Sequence, residues 1–220
     1  PEAGSKYRGL TFFLAPVDGA DVEKRPIRKM TGEYGFNETR FHDARVPAGC
    51  MLGEEGQGWA IAMATLAFER YAEGGQAGGL DMVQLRVEEL VEMARACRRD
   101  GRPAIEDPVV RDELVRLSIE QRALDLNDAR REIAGLCRER PDAIGLMRKL
   151  VTSEFRRRMS RFAVSLQGEA AKLYIGDPAA VEDGDWQRHY MNAYSVTIGG
   201  GTSQIQMNIL GERVLGRNVA

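Results

Sequence analysis

One residue that could act as a catalytic acid or base is Glu69, the only carboxylate in an apolar-rich run from Trp59 to Arg70. A helix made from this run would bury its apolar side chains in the core. A carboxylate within it therefore either has a hydrogen-bonding or ionic partner or takes part in catalysis. A Glu-Arg neighbour pair in a helix also commonly lies at the solvent edge. The pattern therefore leaves a structural and a catalytic role open for Glu69.

The second candidate is the glycine run Gly199-Gly200-Gly201, which is followed at once by a predicted helix. Ser203 and Gln206 match a capping box, so we expect the helix to begin at this point. Glycines before a helix leave backbone N–H groups unpaired at the positive end of the helix dipole, where a phosphate could bind. Such loops are also common as simple chain reversals, so the run alone leaves a ligand role open.

Charge and metal-ligand patterns exclude several classes of partner. Lysine plus arginine number 31 and aspartate plus glutamate 33, and the two signs are interspersed, which argues against nucleic-acid binding. His42 and His189 stand singly, so we expect no metal site. Cys50, Cys97 and Cys137 are widely spaced without a CxxC pair, which predicts buried small side chains in a reducing compartment.

The termini and hydropathy suggest a cytoplasmic piece of a longer protein. No run of about 18 unbroken apolar residues occurs, so we expect no membrane span. The first residues do not resemble a signal peptide. The chain begins at Pro1 instead of a methionine and passes directly into a strand-like segment, as a fragment would.

Two regions with different hydrophobic patterns must position these candidates. Short apolar runs and turn residues between Leu10 and Val46 predict several antiparallel strands, whereas apolar residues beyond Gly58 recur at helical spacing. Asp107-Pro108 combines a capping residue with a proline at the first helical position and predicts the start of a long helix. The fold class is therefore mainly α: residues 1–52 are part of an antiparallel β domain, and residues 53–220 form an antiparallel helical bundle.

A series of short motifs resembles the acyl-CoA dehydrogenase family, with the order and spacing of that family over nearly the full chain. The matching part is the end of the middle β domain and the C-terminal helical domain. The motifs are Met30-Thr-Gly32, Phe41-His-Asp43, Val46-Pro47, Gly53-Glu-Glu-Gly-Gln-Gly-Trp59, Phe68-Glu-Arg70, Gly200-Gly-Thr-Ser-Gln-Ile-Gln206 and Glu212-Arg-Val-Leu-Gly216.

The resemblance implies an FAD-dependent oxidoreductase of fatty-acid metabolism. Such an enzyme removes hydrogens from the α and β carbons of an acyl-CoA thioester and passes electrons to an electron-transfer flavoprotein. It needs a carboxylate that takes the α proton and donors that stabilise the developing enolate.

The family resemblance also assigns roles to the two candidates. Many members place the base just before the Gly-Thr-Ser-Gln motif, but this chain has Gly200 there. A subgroup that resembles the isovaleryl and long-chain enzymes places it on the first long helix ahead of an arginine, and Glu69-Arg70 matches that placement. The resemblance therefore implies Glu69 as the base, Arg70 as a substrate-orienting neighbour and the Gly200 backbone N–H as a donor to the thioester oxygen.

Cofactor residues follow from the same resemblance. Gly201, Thr202, Ser203 and Gln204 match the segment that touches the FAD nucleotide. Gly168 lies where the family has a flavin-contacting glycine, although the surrounding match is loose. The family's Arg-x-x-Phe-Gly loop is replaced here by Arg98-Arg-Asp-Gly-Arg-Pro103, so no pyrophosphate-binding arginine is assigned.

Two further expectations concern assembly. Wide apolar faces on the helices predict dimers or tetramers. An alternative to the enzyme is a catalytically inactive scaffold or partner subunit, which would keep the bundle for assembly and leave the chemistry to another chain.

Overall fold

The computed structural model describes residues 6–71, 85–131, 133 and 143–216. The chain separates into two compact units, Pro1–Leu80 and Asp81–Ala220.

The first unit contains small antiparallel sheets and one helix. Its elements are β1 (Phe12–Phe13), β2 (Val22–Arg28), β3 (Tyr34–Phe41), β4 (Met51–Leu52) and α1 (Gly58–Tyr71). Strands β2 and β3 form a hairpin that pairs Val22 with Phe41, and β1 pairs with β4. Every residue of β3 is exposed, so within the described residues this hairpin covers no core.

Helix α1 begins where the chain passes close to another backbone segment. The Gly58 N–H donates to the Leu10 carbonyl over 2.7 Å, and a Cβ at Gly58 would lie 2.7 Å from that same oxygen. Only glycine fits this approach. Trp59, the next residue, stacks on Tyr7 with ring centroids 4.2 Å apart.

The second unit is helical. Its elements are α2 (Val87–Ala96), β5 (Arg98–Arg99), β6 (Arg102–Pro103), α3 (Pro108–Arg131), α4 (Ala143–Leu166), α5 (Asp185–Val196) and α6 (Ser203–Arg213), with short 3-10 helices between some of them. Helix α4 packs against α3, α5 and α6, and α2 packs against α3. Helix α4 is therefore the element that touches most of the others.

The core of the second unit is built from apolar side chains on α2, α3, α4 and α5 and from one alanine in the short 3-10 helix before α3. Full burial of each larger one contributes about 1.5–3 kcal/mol relative to exposure. Trp186 is 2% exposed and donates its indole N–H to Glu182 over 2.8 Å. The buried members are Val87, Leu90, Met93, Ala94, Ala104, Val110, Leu114, Leu117, Phe155, Met159, Ala163, Leu166 and Trp186.

The start of α3 confirms the sequence prediction. The Asp107 carboxylate accepts the Val109 N–H over 2.8 Å, and the helix begins at Pro108. Proline is suited to this position because the first helical N–H would have no helical partner. Leu114 and Leu117 then fall on the buried side of the helix.

The mainly helical fold class with small antiparallel sheets is confirmed, and the domain boundary between residues 52 and 53 stays a prediction. The expected burial of the cysteines is only partly met: Cys50 and Cys97 are free thiols and half-buried, and Cys137 lies outside the described residues. Burial raises the pKa of the Cys97 thiol. None of the helices in the described ranges is long and apolar enough to cross a membrane.

Candidate functional site

The connection between α5 and α6 is a tight reversal, which we call the glycine corner (residues 197–202). The Gly199 N–H donates to the Ser195 carbonyl over 2.8 Å and so closes the end of α5. Gly200 and Gly201 follow with φ of 66° and 98°. These are left-handed conformations, which glycine adopts without the steric cost that a Cβ brings.

The cap of α6 is Thr202, so the predicted capping box at Ser203 and Gln206 is wrong by one residue. The Thr202 hydroxyl accepts the Ile205 N–H over 3.2 Å. Ser203 is the first residue of the helix, and its hydroxyl donates to Glu154 on α4 over 2.7 Å. The Ser203 hydroxyl, which the capping-box motif predicts as the cap, therefore bonds instead to a carboxylate that is distant in the sequence.

Side chains hold two consecutive carbonyls of the glycine corner. Gln206 is 1% exposed, and its amide donates to the Gly200 carbonyl over 2.7 Å. The Lys149 ammonium, on α4, donates to the Gly201 carbonyl. A Cβ at Gly201 would lie 2.9 Å from the Gln206 amide nitrogen, so the glutamine occupies the space that a side chain at residue 201 would need.

Glu154 links the glycine corner to the charged side of α4. Its hydrogen bond from Ser203 holds the pKa of the carboxyl below its usual range, and Arg157 adds to the effect through a 2.8 Å ion pair. The carboxylate is therefore ionised at neutral pH. It ties the first residue of α6 to α4.

Three backbone donors at the glycine corner remain available. Among the residues that the structure describes, no acceptor takes a hydrogen bond from the amides of Gly200, Gly201 and Thr202. The corner also lies at the N-terminus of α6, where the helix dipole favours negative charge. Chemically, the arrangement can donate to a ligand oxygen that carries partial or full negative charge.

The structure brings most of the predicted cofactor residues together in this corner. Gly200, Gly201, Thr202, Ser203 and Gln204 are consecutive around the start of α6. The Thr202 and Ser203 hydroxyls are engaged within the chain, whereas Gln204 is exposed. What the segment offers to a ligand is therefore mainly its backbone.

Glu69 and Arg70 lie in α1, and their side chains are outside the described residues. Their assignment as base and substrate-orienting residue stays a prediction.

Gly168 opens a short 3-10 helix after α4, with φ of 57°. The preceding residue, Gln167, is buried and accepts the Gln187 amide over 2.8 Å. Within the described part of the chain, the Gln167 amide nitrogen is a buried donor without an acceptor. An unsatisfied donor of this kind is costly unless a ligand or an ordered water accepts from it.

Sequence reasoning missed Lys149, Glu154 and the role of Gln206. Lys149 and Glu154 lie 52 and 49 residues before their partners in the corner, a separation at which spacing gives no signal. In the described residues no cluster of His, Cys, Asp or Glu could hold a metal ion.

Comparison with known proteins gives consistent results. The family model for the acyl-CoA dehydrogenase C-terminal domain matches residues 56–215. A relative, acyl-CoA dehydrogenase IpdE1 of Mycobacterium tuberculosis, is 38% identical over 221 residues and is matched over 98% of this chain and 53% of its own length. The chain thus spans about half the length of this relative.

Solved structures agree with this assignment. One chain of the Tcur3481-Tcur3483 steroid ACAD aligns with a TM-score of 0.80 and 25% identity, over 100% of this chain and 55% of that one. A chain of the ChsE4-ChsE5 complex from Mycobacterium tuberculosis aligns with a TM-score of 0.76 and 26% identity, over 97% of this chain and 55% of that one. Since the family model matches most of its residues, this chain belongs to the acyl-CoA dehydrogenase family, whose C-terminal domain it contains.

Proposed function

We propose that this chain is the C-terminal part of an FAD-dependent acyl-CoA dehydrogenase that converts an acyl-CoA thioester into its α,β-unsaturated product. The observation that supports this most directly is the Gly200 amide before the N-terminus of α6, which has no acceptor among the described residues. A fixed donor at the thioester oxygen stabilises the enolate charge that develops when the α proton leaves.

Glu69 is the residue we assign as the base. The Gly200 position, where many family members have their acid, offers only backbone in this chain. Glu69 takes the α proton, and Arg70 beside it in sequence orients the site. Enclosure by substrate would remove water from the carboxylate and raise its pKa, which makes it a stronger base.

The described residues fit a nucleotide cofactor. Gly201 to Gln204 begin a helix whose N-terminus suits a phosphate group. Gln167, beside Gly168, has a buried amide donor with no acceptor in the described residues. These residues would hold FAD, which when bound supplies the acceptor for the β hydride.

The test of this function uses the complete protein that contains the chain. Purified protein should carry a flavin absorption band, and anaerobic addition of acyl-CoA should bleach it. A protein that binds flavin without being bleached by any of a series of straight and branched acyl-CoA compounds would contradict the assignment. Electron-transfer flavoprotein is the acceptor we propose for turnover, in the cytoplasm.

Assembly through α3 is a further part of the proposal. Val115, Ile119 and Leu126 recur on one side of this helix and are exposed, while its opposite side faces the core. An exposed apolar stripe of this kind commonly marks a protein contact. We therefore propose a dimer or tetramer that buries the stripe.

The oligomer can be tested by light scattering at micromolar concentration. Ile119→Glu should dissociate the assembly because it places a charge inside the apolar contact. Ile175→Glu is the matched control, since Ile175 is also an exposed isoleucine but lies outside α3. A wild-type chain that is monomeric, or a control that dissociates equally, would contradict the role of α3.

The second candidate function is a catalytically inactive scaffold or partner subunit. The same apolar stripe favours it, because a partner could cover α3 whether or not this chain does chemistry. One of the similar structures is itself a complex, named for ChsE4 and ChsE5. A colourless oligomer that gains no activity when its partner is supplied would favour the scaffold over the enzyme.

A further inference from the structure

We propose that Lys149 and Gln206 are positioning residues that hold the peptide unit between Gly199 and Gly200 in one orientation. This inference rests on the proposed function, in which the Gly200 N–H of that unit donates to the thioester oxygen. Neither side chain is assigned a contact with substrate. Both act through the backbone of the glycine corner.

The peptide units on either side of this one are all anchored. The Gly199 N–H is bonded to the Ser195 carbonyl at 2.8 Å. The Gly200 carbonyl accepts from Gln206 at 2.7 Å, and the Gly201 carbonyl accepts from Lys149. The unit enclosed by these anchors carries the Gly199 carbonyl and the Gly200 N–H, and in the described residues neither group takes part in a hydrogen bond.

The anchors restrict how the enclosed peptide unit can rotate. Peptide units are planar, so the enclosed unit can reorient only through the backbone dihedrals of the residues on either side. Those residues are Gly199 and Gly200, and glycine has the widest choice of such dihedrals. Without the side-chain anchors this unit would sample several orientations. With them, the donor is already oriented and needs no reorganisation during reaction.

The two side chains suit this task for different reasons. Gln206 is almost fully buried, so a lost bond to Gly200 would leave a buried amide unsatisfied. Lys149 makes a charge-assisted bond, which is stronger than a neutral one. The Lys149 Cε also lies 3.7 Å from the place of a Cβ at Gly200, which sets a cationic side chain directly beside the donor residue.

The first arm of the experiment measures orientation without reference to activity. Backbone ¹⁵N relaxation of the 220-residue chain would be compared between wild type, Lys149→Met and Gln206→Leu. Both variants should lower the order parameters of Gly199 and Gly200, from rigid values of about 0.85 to below about 0.6, while the core of α3 keeps its own. Lys149→Arg, which keeps the charge, should restore much of the order.

The control is Lys172→Met. Lys172 is an exposed lysine of the same unit, paired with Glu169, and its loss should leave the glycine corner unchanged. Unchanged order at Gly199 and Gly200 in Lys149→Met would overturn the positioning role, and this variant remains informative even if Gln206→Leu does not fold. A uniform loss of order across the second unit in Lys149→Met would overturn it as well, because it would indicate a general structural role.

The second arm separates this inference from the proposed function. In the complete protein, Lys149→Met should weaken binding of an acyl-CoA by about tenfold, as expected when one oriented donor is lost. Binding of the matching alkyl-CoA thioether, which has no carbonyl oxygen, should change by less than about twofold. If order falls but both ligands weaken equally, positioning stands and the assigned task of the Gly200 amide is wrong.

Discussion

The end of α1 and the glycine corner differ in how well contacts within the described part of the chain hold them in place. The corner is held by Lys149, Glu154 and Gln206, all within its own unit. Helix α1 has Leu66 exposed and Phe68 77% exposed within the described residues. The corner has an available amide but no acid, whereas α1 has an acid at Glu69 and apolar side chains that the described part of its own unit does not cover.

The contrast indicates how the proposed reaction would be divided between the two regions. The proposed donor is built into a turn that its own unit supports. The proposed proton acceptor, by contrast, lies on a helix with exposed apolar residues of the kind that another surface commonly covers. The four predictions that follow test this contrast.

The largest effect is expected for Glu69→Gln in the complete protein. Loss of the base should lower kcat by a factor of about 10²–10⁴ while flavin binding is retained, because the amide keeps the size but cannot take a proton. Stopped-flow flavin reduction by acyl-CoA measures this. Glu92→Gln is the control, since Glu92 is an exposed residue paired with Arg95. Near-normal turnover in Glu69→Gln would mean that Glu69 on α1 is not the base, and the contrast between the two regions would then no longer hold.

The next effect is on stability and concerns Gly201→Ala. The new Cβ would meet the Gln206 amide in a left-handed backbone conformation, so we expect a loss of about 1–3 kcal/mol in the free energy of unfolding. Urea denaturation measures it. Gly199→Ala is a matched control, because the nearest atom to its Cβ is 3.4 Å away and its φ is not left-handed. Equal losses in the two variants would mean that the corner is not specially constrained.

A smaller effect is expected for Glu154→Gln, which weakens the link between α4 and α6. The free energy of unfolding should fall by about 1 kcal/mol at neutral pH, because the amide oxygen can still accept the Ser203 hydroxyl but only as a neutral acceptor, whose hydrogen bond contributes less than one to a charged group. The folded-state pKa of Glu154 is lowered, so its contribution is present above the ordinary carboxyl pKa and is lost as the pH falls through the folded value. Urea titrations at neutral and acidic pH should therefore show the gap between wild type and variant closing on acidification. A gap that widens would contradict the ionised Glu154 hydrogen bond.

The smallest effect is expected for Phe68→Ala in the 220-residue chain. Because this side chain is already exposed, the free energy of unfolding should change by less than about 0.5 kcal/mol. Leu117→Ala, at a buried site of α3, provides the reference and should cost about 2–5 kcal/mol. A large loss for Phe68→Ala would mean that α1 is covered within its own chain after all.

Local signals in the sequence were sufficient for much of the fold. Asp107-Pro108 predicted the start of α3 because the cap and the proline act within one turn. The capping-box pattern predicts the start of α6 one residue late because Thr202 and Ser203 can both cap a helix. The choice between them is made by Glu154, which takes the Ser203 hydroxyl from another helix. The sequence therefore predicts which segment forms the candidate site. It does not predict the side chains that hold this segment, because they reach it through tertiary contacts that no local pattern encodes.

The two tryptophans of the chain fall one in each compact unit. Trp186 is buried against Glu182, whereas Trp59 is 37% exposed and stacked on Tyr7. Their emission spectra should consequently differ in wavelength. Replacing Trp59 with phenylalanine would leave a fluorophore that reports on the helical unit alone, so the melting of the two halves could be followed separately without an added label.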